Sequence, residues 1–420
     1  MFIIFLIITI VSIGFLILVH EFGHYLVAKL SGIKVETFSI GFGPSILQFE
    51  KGETLYKIGL VPLGGYVKLS GLNPSEKRGE SYEFRSKPYY VRFLTVLAGP
   101  LFNVLASIFV LIILYSFVGV STFSGRQVKS SKTGKLKYGD EIIEVDGKKV
   151  EDWYDVEFYL HDDESSFVKV IRDSDTIGLF LYRDKGDYDI SPLIPVVIGR
   201  VFGEPALKAG LKSGAKILKV GDKEIKDYMD FRDIIIKNPG ETLTVIFEKG
   251  RICTTQLVVG RKKILEDNTE KEIGFIGISV AVSKKKFGLM GIKKSVEVTF
   301  STIVLTLKVL YKLLKGDISR KALGGPISVF HTVFESAKIG IDYLLTIIAF
   351  ISIQLFILNL LPIPPLDGGY LFIFLFEKIR RKEVTEKGMQ IVQLIGLSLL
   401  IMLVLFATMN DIARFMGRVK

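Results

Sequence analysis

The stretch FIIFLIITIVSIGFLILVHEFGH, residues 2–24, carries no charge from Phe2 to Val19 and then sets His20, Glu21 and His24 into the end of the same run. A hydrocarbon core about 30 Å thick takes roughly 20 apolar residues in a helix, so the stretch reads as a membrane span. A cleaved signal peptide would also be apolar. Here, however, no basic region precedes the run, no A-x-A site follows it, and it continues into ionisable residues, so a retained span is expected. Three later stretches have the same character. Phe93–Val120 is uncharged, Tyr343–Phe376 holds a single charge at Asp367, and Gly388–Asn410 holds none.

Composition agrees with a polytopic α-helical membrane protein. In 420 residues the hydrophobic share is 49% and the mean hydropathy +0.40, too apolar for an ordinary soluble chain. One cysteine, Cys253, excludes an intramolecular disulfide framework and a cysteine metal cluster. The net charge of +11 is spread among acids rather than gathered into a stripe, so no nucleic-acid partner is expected; membrane lipid is. With four spans, Ser31–Arg92 and Glu377–Lys387 lie on one side and Arg126–Asp342 on the other. The second of these short connections packs Lys378, Arg380, Arg381, Lys382 and Lys387 together, so the positive-inside rule puts both on the cytoplasmic side and both termini outside.

The long connection repeats itself. GDEIIEVDGKKVEDWYD from Gly139 answers GAKILKVGDKEIKDYMD from Gly214, matching Ile142 to Ile217, Val145 to Val220, Val150 to Ile225 and Asp152-Trp153 to Asp227-Tyr228. Each copy reads as short strands around a Gly and Asp turn followed by a helical run, Trp153–Leu160 or Tyr228–Ile236, hence two small α+β domains. The run Pro205–Gly214 before the second copy resembles bacterial PDZ domains, which take a peptide against a sheet edge, and that resemblance places Leu211 near the peptide groove. Beyond them, Val298–Leu307 with Lys308, Lys312 and Lys315 fits an interfacial amphipathic helix, and the polar Glu266–Glu272 fits a hinge. Thr54–Ser70 reads as a membrane-associated β-hairpin whose edge, around Gly64, Gly65 and Tyr66, could add a substrate strand.

His20-Glu21-Phe22-Gly23-His24 is the H-E-x-x-H pattern: residues four apart share a helix face, so both imidazoles can grip one Zn²⁺ while Glu21 beside them serves as general base toward a water. Ionisable residues at the end of a membrane helix default to function, because lipid offers them no partner. A catalytic zinc needs a third protein ligand. Asp367 is the best candidate, following the helix-breaking prolines of Leu361–Leu366, where freed backbone must line a cavity or pack on protein. His161 and His331 read as ordinary residues of the exported part. Asn359, just before the break, either packs helices or holds a substrate backbone.

H-E-F-G-H, Gly41-Phe42-Gly43-Pro44, Pro62-Leu63-Gly64-Gly65-Tyr66, Ala98-Gly99-Pro100 with Asn103, Gly325-Pro326-Ile327 and the Asn359–Gly369 stretch resemble the site-2 protease family of intramembrane zinc metalloproteases over essentially the whole chain. The tandem PDZ-like domains and the closing Asn410-Asp411-Ile412-Ala413-Arg414 are most similar to bacterial members. The resemblance implies one zinc per chain held by His20, His24 and Asp367, Glu21 as catalytic base, and Asn359, Pro362 and Pro364 near the substrate. It also implies single-span membrane substrates already trimmed outside, such as anti-sigma factors and remnant signal peptides, and a bacterial inner membrane with the PDZ-like domains extracytoplasmic. The division expected is 1–125 for the first membrane core, 126–192 and 193–282 for the PDZ-like domains, 283–342 for the amphipathic linker and 343–420 for the second membrane core. A PDZ-containing scaffold with a dead protease site would show a damaged metal motif, and none of its members is missing. A metal transporter would leave Glu21 and the repeats without a purpose.

Overall fold

The computed structural model describes residues 2–76, 78–122, 125–131, 135–160, 165–183, 188, 190–266, 269–317 and 324–419. Its contacts divide the chain into two units, one of Met1–Val120 with Lys286–Phe415 and one around Ser121–Lys285. The first helix, α1 (Phe2–Leu30), is apolar as far as Val19 apart from two small hydroxyl residues, whose hydroxyls turn back on their own backbone. Thr9 donates to the Phe5 carbonyl at 2.8 Å and Ser12 to that of Ile8 at 2.7 Å, so neither needs a partner from lipid.

Two long antiparallel strands follow, β1 (Val35–Lys51) and β2 (Thr54–Leu69). The register of β1 shifts near Gly41–Gly43, so that Val35–Ile40 lies between Leu55–Ile58 and Gly65–Leu69 of its partner. Thr54–Ser70 is therefore not a hairpin by itself; it is one arm, and β1 is the other. The Gly65–Leu69 run pairs with β1 on one side only. Aromatic packing seats the sheet on α1: the Tyr25 and Tyr56 hydroxyls lie 2.7 Å apart, and the Tyr25 and Phe38 rings 5.2 Å. Lys29 ties the helix end to Glu53 at the turn, 2.8 Å away. α2 (Tyr89–Ile112) then runs back along α1, ending in a wide turn to Val118.

The second unit contains the repeat twice over. Strands 148–149, 141–145, 165–172 and 175–182 form one four-stranded sheet, and 223–224, 216–220, 242–249 and 251–258 form another in the same order. The matched apolar residues fill the two cores: Ile142 and Ile217, Val145 and Val220, Val150 and Ile225 are all buried. The matched aspartates cap the matched helices. Asp152 accepts from the Asp155 N–H at the start of α3 (Trp153–Tyr159). A one-turn helix, α4 (Glu204–Lys208), opens the second copy, and Asp227 caps α5 (Tyr228–Lys237) through the Met229 N–H. Each cap also meets a lysine from outside its copy. Lys129 lies 2.7 Å from Asp227, and Lys285 lies 3.0 Å from Asp152 and 2.7 Å from Asp155. Burial opposes the charge on Lys285, but the Asp155 and Asp152 carboxylates outweigh it and hold the ammonium above its ordinary pKa. One expectation changes here: Glu266–Glu272 is not a hinge, because Gly260–Glu266 pairs antiparallel with Thr269–Phe275. Leu211 is buried in the core of its copy.

The chain returns to the first unit through α6 (Met290–Lys315), α7 (Pro326–Ile339), α8 (Ile341–Asn359), α9 (Asp367–Arg380) and α10 (Glu386–Val419). Among the described residues four helices are long and apolar enough to cross a membrane: Phe2–Leu30, Tyr89–Val118, Ile341–Asn359 and Glu386–Arg414. The third is shorter than hydropathy implies. The window Tyr343–Phe376 is two helices, because Pro362, Pro364 and Pro365 interrupt the backbone hydrogen bonding and Asp367 restarts it. The amphipathic segment is likewise longer than Val298–Leu307; it is the whole of α6, packed on α2 and α8. Two separated motifs meet: Asp411 of α10, fully buried, accepts from the Gly325 and Ser328 N–H groups at 2.9 Å and from the Ser328 hydroxyl. A carboxylate is thus placed on the positive end of α7.

The far end of α9 is held by charge. Glu377, buried, meets Arg85 at 3.4 Å and Arg92 at 3.3 Å and accepts from the Val384 N–H at 2.9 Å, beside Phe84 packed on Phe374. Removing one partner strands the others in a low-dielectric place. Glu377→Ala should therefore lower unfolding stability in detergent by about 3–5 kcal/mol. A loss below about 1 kcal/mol, as for an exposed pair, would show that the cluster is hydrated.

Candidate metal centre

α1 carries His20 and His24 one turn apart, and α9 carries Asp367 at its first residue. Among the described residues these three form the group of His, Cys, Asp or Glu side chains close enough to share an ion. His20 Nε2 lies 3.2 Å from Asp367 Oδ2, His24 Nε2 lies 3.4 Å from the same oxygen, and the two Nε2 atoms are 3.3 Å apart. A tetrahedral site with metal–ligand distances of about 2.0–2.1 Å has edges of about 3.3–3.4 Å, so the three atoms outline one face of such a tetrahedron.

The protonation pattern makes the same case. His24 Nδ1 lies 2.9 Å from the Thr95 carbonyl oxygen, which can only accept, so Nδ1 bears the proton and Nε2 turns a lone pair inward. Asp367 Oδ2 is buried and takes no hydrogen bond. Lone pairs facing a buried carboxylate oxygen across little more than 3 Å repel one another unless a cation lies among them. The residues present therefore fit a zinc ion.

The surroundings are built by close approach. Gly99 of α2 lies against the His24 ring, where any Cβ would overlap the imidazole. Gly65 of β2 lies against Ser39 and the Glu21 side chain in the same way. The Val67 backbone hydrogen-bonds Glu21, so strand and base are in register. A cavity of about 280 Å³ opens onto the group, lined among others by Glu21, Gly65, Tyr66, Asn359, Pro365 and Tyr370. A larger hollow, about 730 Å³, lies beside α5 in the second unit, but its acids do not converge as a metal-ligating group.

The expected substrate residues separate into two sets. Asn359, Gly65 and Tyr66 line the cavity. Gly64 instead packs against Phe42, Pro362 is exposed, and Pro364 is buried beneath the break against Gly369 and Gly396, with Pro365 taking the place at the cavity wall. His331 stands on α7 beside an apolar hollow with Phe2, Leu6 and Phe334, and His161 lies outside the described residues. Sequence reasoning singled out Gly99 and Asn103 only as part of the resemblance and missed Thr95 and the role of Asn103, whose amide comes within 3.2 Å of His20 Nδ1. A signal was there: Asn103 is the one carboxamide between Phe93 and Val120, four residues after Gly99 and so on the same face.

The model of peptidase family M50 matches residues 8–403. The chain belongs to peptidase family M50. Within that family it is 32% identical to the "Regulator of sigma E protease" of Haemophilus influenzae, over 96% of this chain and 98% of that one. It is 32% identical to the "Regulator of sigma-E protease RseP" of Escherichia coli, over 96% and 97%, and to "Protease RseP" of Yersinia pestis over the same shares. As an M50 peptidase it is an intramembrane zinc metalloprotease of the site-2 type, at work in regulated intramembrane proteolysis.

For an M50 site assembled this tightly, the Gly99 contact is a direct test. Gly99→Val should displace the His24 ring and lower the zinc content of purified protein well below one equivalent, while Gly14→Val, on the same α1 helix as the histidines but with open space where its Cβ would lie, should leave it at one. Full zinc in Gly99→Val would mean that the crossing of α1 and α2 does not position the histidine.

Proposed function

We propose that His20, His24 and Asp367 hold the catalytic zinc and that Glu21 is the general base of peptide-bond hydrolysis in the membrane. The observation that carries this reading is the convergence of the three donor atoms within 3.4 Å on a cavity that Glu21 also lines. When bound, zinc polarises the scissile carbonyl and brings the pKa of a water toward neutrality. Glu21 takes the proton of the attacking water and delivers it to the leaving amine nitrogen, a transfer its place beside the donors allows.

The substrate must arrive unwound, since a transmembrane helix keeps its carbonyls in its own hydrogen bonds. The free side of the Gly65–Leu69 run supports strand addition there, with the Asn359 carboxamide facing the added backbone from across the cavity. The substrates are single-span membrane proteins already trimmed on the outer side, of the anti-sigma-factor or remnant-signal-peptide kind, in keeping with relatives named as regulators of sigma E. The two repeat copies, 126–192 and 193–282, are PDZ-like domains on the extracytoplasmic side of a bacterial inner membrane, with both termini on that side. There they admit trimmed stubs and obstruct bulky ectodomains. Membrane cores 1–125 and 343–420 carry the site, and 283–342 links them.

Glu21→Gln preserves shape but cannot accept the proton. It should bind one zinc and cut a model span at least about 10²-fold more slowly, whereas His24→Ala and Asp367→Ala should lose zinc as well. Wild-type cleavage by Glu21→Gln, or stoichiometric zinc in either ligand variant, would refute these assignments.

A further inference from the structure

The two histidines differ in what holds their far nitrogens. His24 Nδ1 faces a backbone carbonyl, which leaves one tautomer. His20 Nδ1 faces two carboxamides, with Asn103 Nδ2 at 3.2 Å and Asn359 Nδ2 at 3.5 Å. With both amide nitrogens turned toward it, Nδ1 would have to accept, and the His20 proton would sit on Nε2, on the very lone pair that faces Asp367. Metal binding through Nε2 needs the opposite arrangement. Asn103 is fully buried, and its Oδ1 has no hydrogen-bond partner that would hold the amide with Nδ2 toward His20. A half-turn of the carboxamide exchanges Oδ1 and Nδ2 with almost no change in shape. Oδ1 then accepts from Nδ1–H, and Nε2 is freed. The residue cannot withdraw, because its own carbonyl accepts from the buried Ser352 hydroxyl at 2.8 Å, pinning α2 to α8 at that level.

We propose that Asn103 is a positioning residue: its Oδ1 accepts a hydrogen bond from His20 Nδ1–H and holds His20 in the tautomer that binds metal, which leaves the Asn359 carboxamide for the substrate. The proposal rests on the ligand set put forward above. It predicts a requirement for an acceptor, not merely for a polar or similarly sized side chain. Asparagine and aspartate can both present an oxygen to His20; leucine, of like shape, cannot.

The test is the zinc dissociation constant of the purified full-length protein, measured by competition with a chromophoric chelator, alongside the melting temperature of the metal-free form. Asn103→Leu should weaken zinc binding by about 10–100-fold, and Asn103→Asp should bind within about threefold of wild type or more tightly. Asn359→Leu should leave the constant unchanged. Wild-type affinity in Asn103→Leu would overturn the proposal, as would an Asn103→Asp variant weakened as much as the leucine one, since that would make the amide nitrogen the required group. If Asn103→Leu does not fold, Asn103→Ala, which also presents no acceptor, takes its place under the same criteria. His24→Ala separates the two layers: zinc retained there sinks the ligand set and this proposal with it, whereas zinc lost there while Asn103→Leu binds normally overturns only the role of Asn103.

Discussion

Two imidazole nitrogens and a carboxylate oxygen face one another across 3.2–3.4 Å in a place lined by apolar helices, and the rest of the first unit serves to keep them there. Such a cluster has no partner in lipid and repels itself without a cation, so it persists only if the surrounding backbone over-determines it. α1 supplies both histidines from one face. α2 approaches close enough for Gly99 to touch the His24 ring and for Thr95 to fix its tautomer. The proline break brings Asp367 in as the first residue of a new helix, whose other end is locked by Glu377 between Arg85 and Arg92. The ligand helix is therefore held at both ends, by the metal site at one and by a buried ion cluster at the other.

The same economy shapes the access to the site. A membrane helix offers no free backbone, and a substrate strand needs one to pair with. β2 provides it: its Gly65–Leu69 run pairs with β1 and with no other described strand, faces the cavity, and is tied to Glu21 through Val67. Base, strand and metal group thus share one rigid frame, and a side chain added at Gly65 would press on the Ser39 backbone and on Glu21.

Much of this could be read in the sequence where the information was local. His20 and His24 announce themselves by spacing, Asp367 by being the lone charge of its apolar window, and the repeat by its matched residues, which turn out to fill two equivalent cores and cap two equivalent helices. What escaped was set by contacts distant in sequence. Hydropathy sums over a window and cannot see that Tyr343–Phe376 changes direction inside it. Polarity alone does not separate a hinge from a pair of polar strands, which is what Gly260–Glu266 and Thr269–Phe275 form. The role of Asn103 was not legible, since its partner lies 83 residues away. Glu377, Arg85 and Arg92 look like ordinary loop charges until the fold buries them together.

The central claim is that one zinc is held by two histidines and one carboxylate, with nothing from Cys253. Zinc K-edge X-ray absorption of the purified protein tests it most directly. The account predicts a nitrogen and oxygen shell at about 2.0–2.1 Å with the multiple-scattering signature of two imidazoles and no sulfur at about 2.3 Å. A single imidazole, or a sulfur shell, would contradict it.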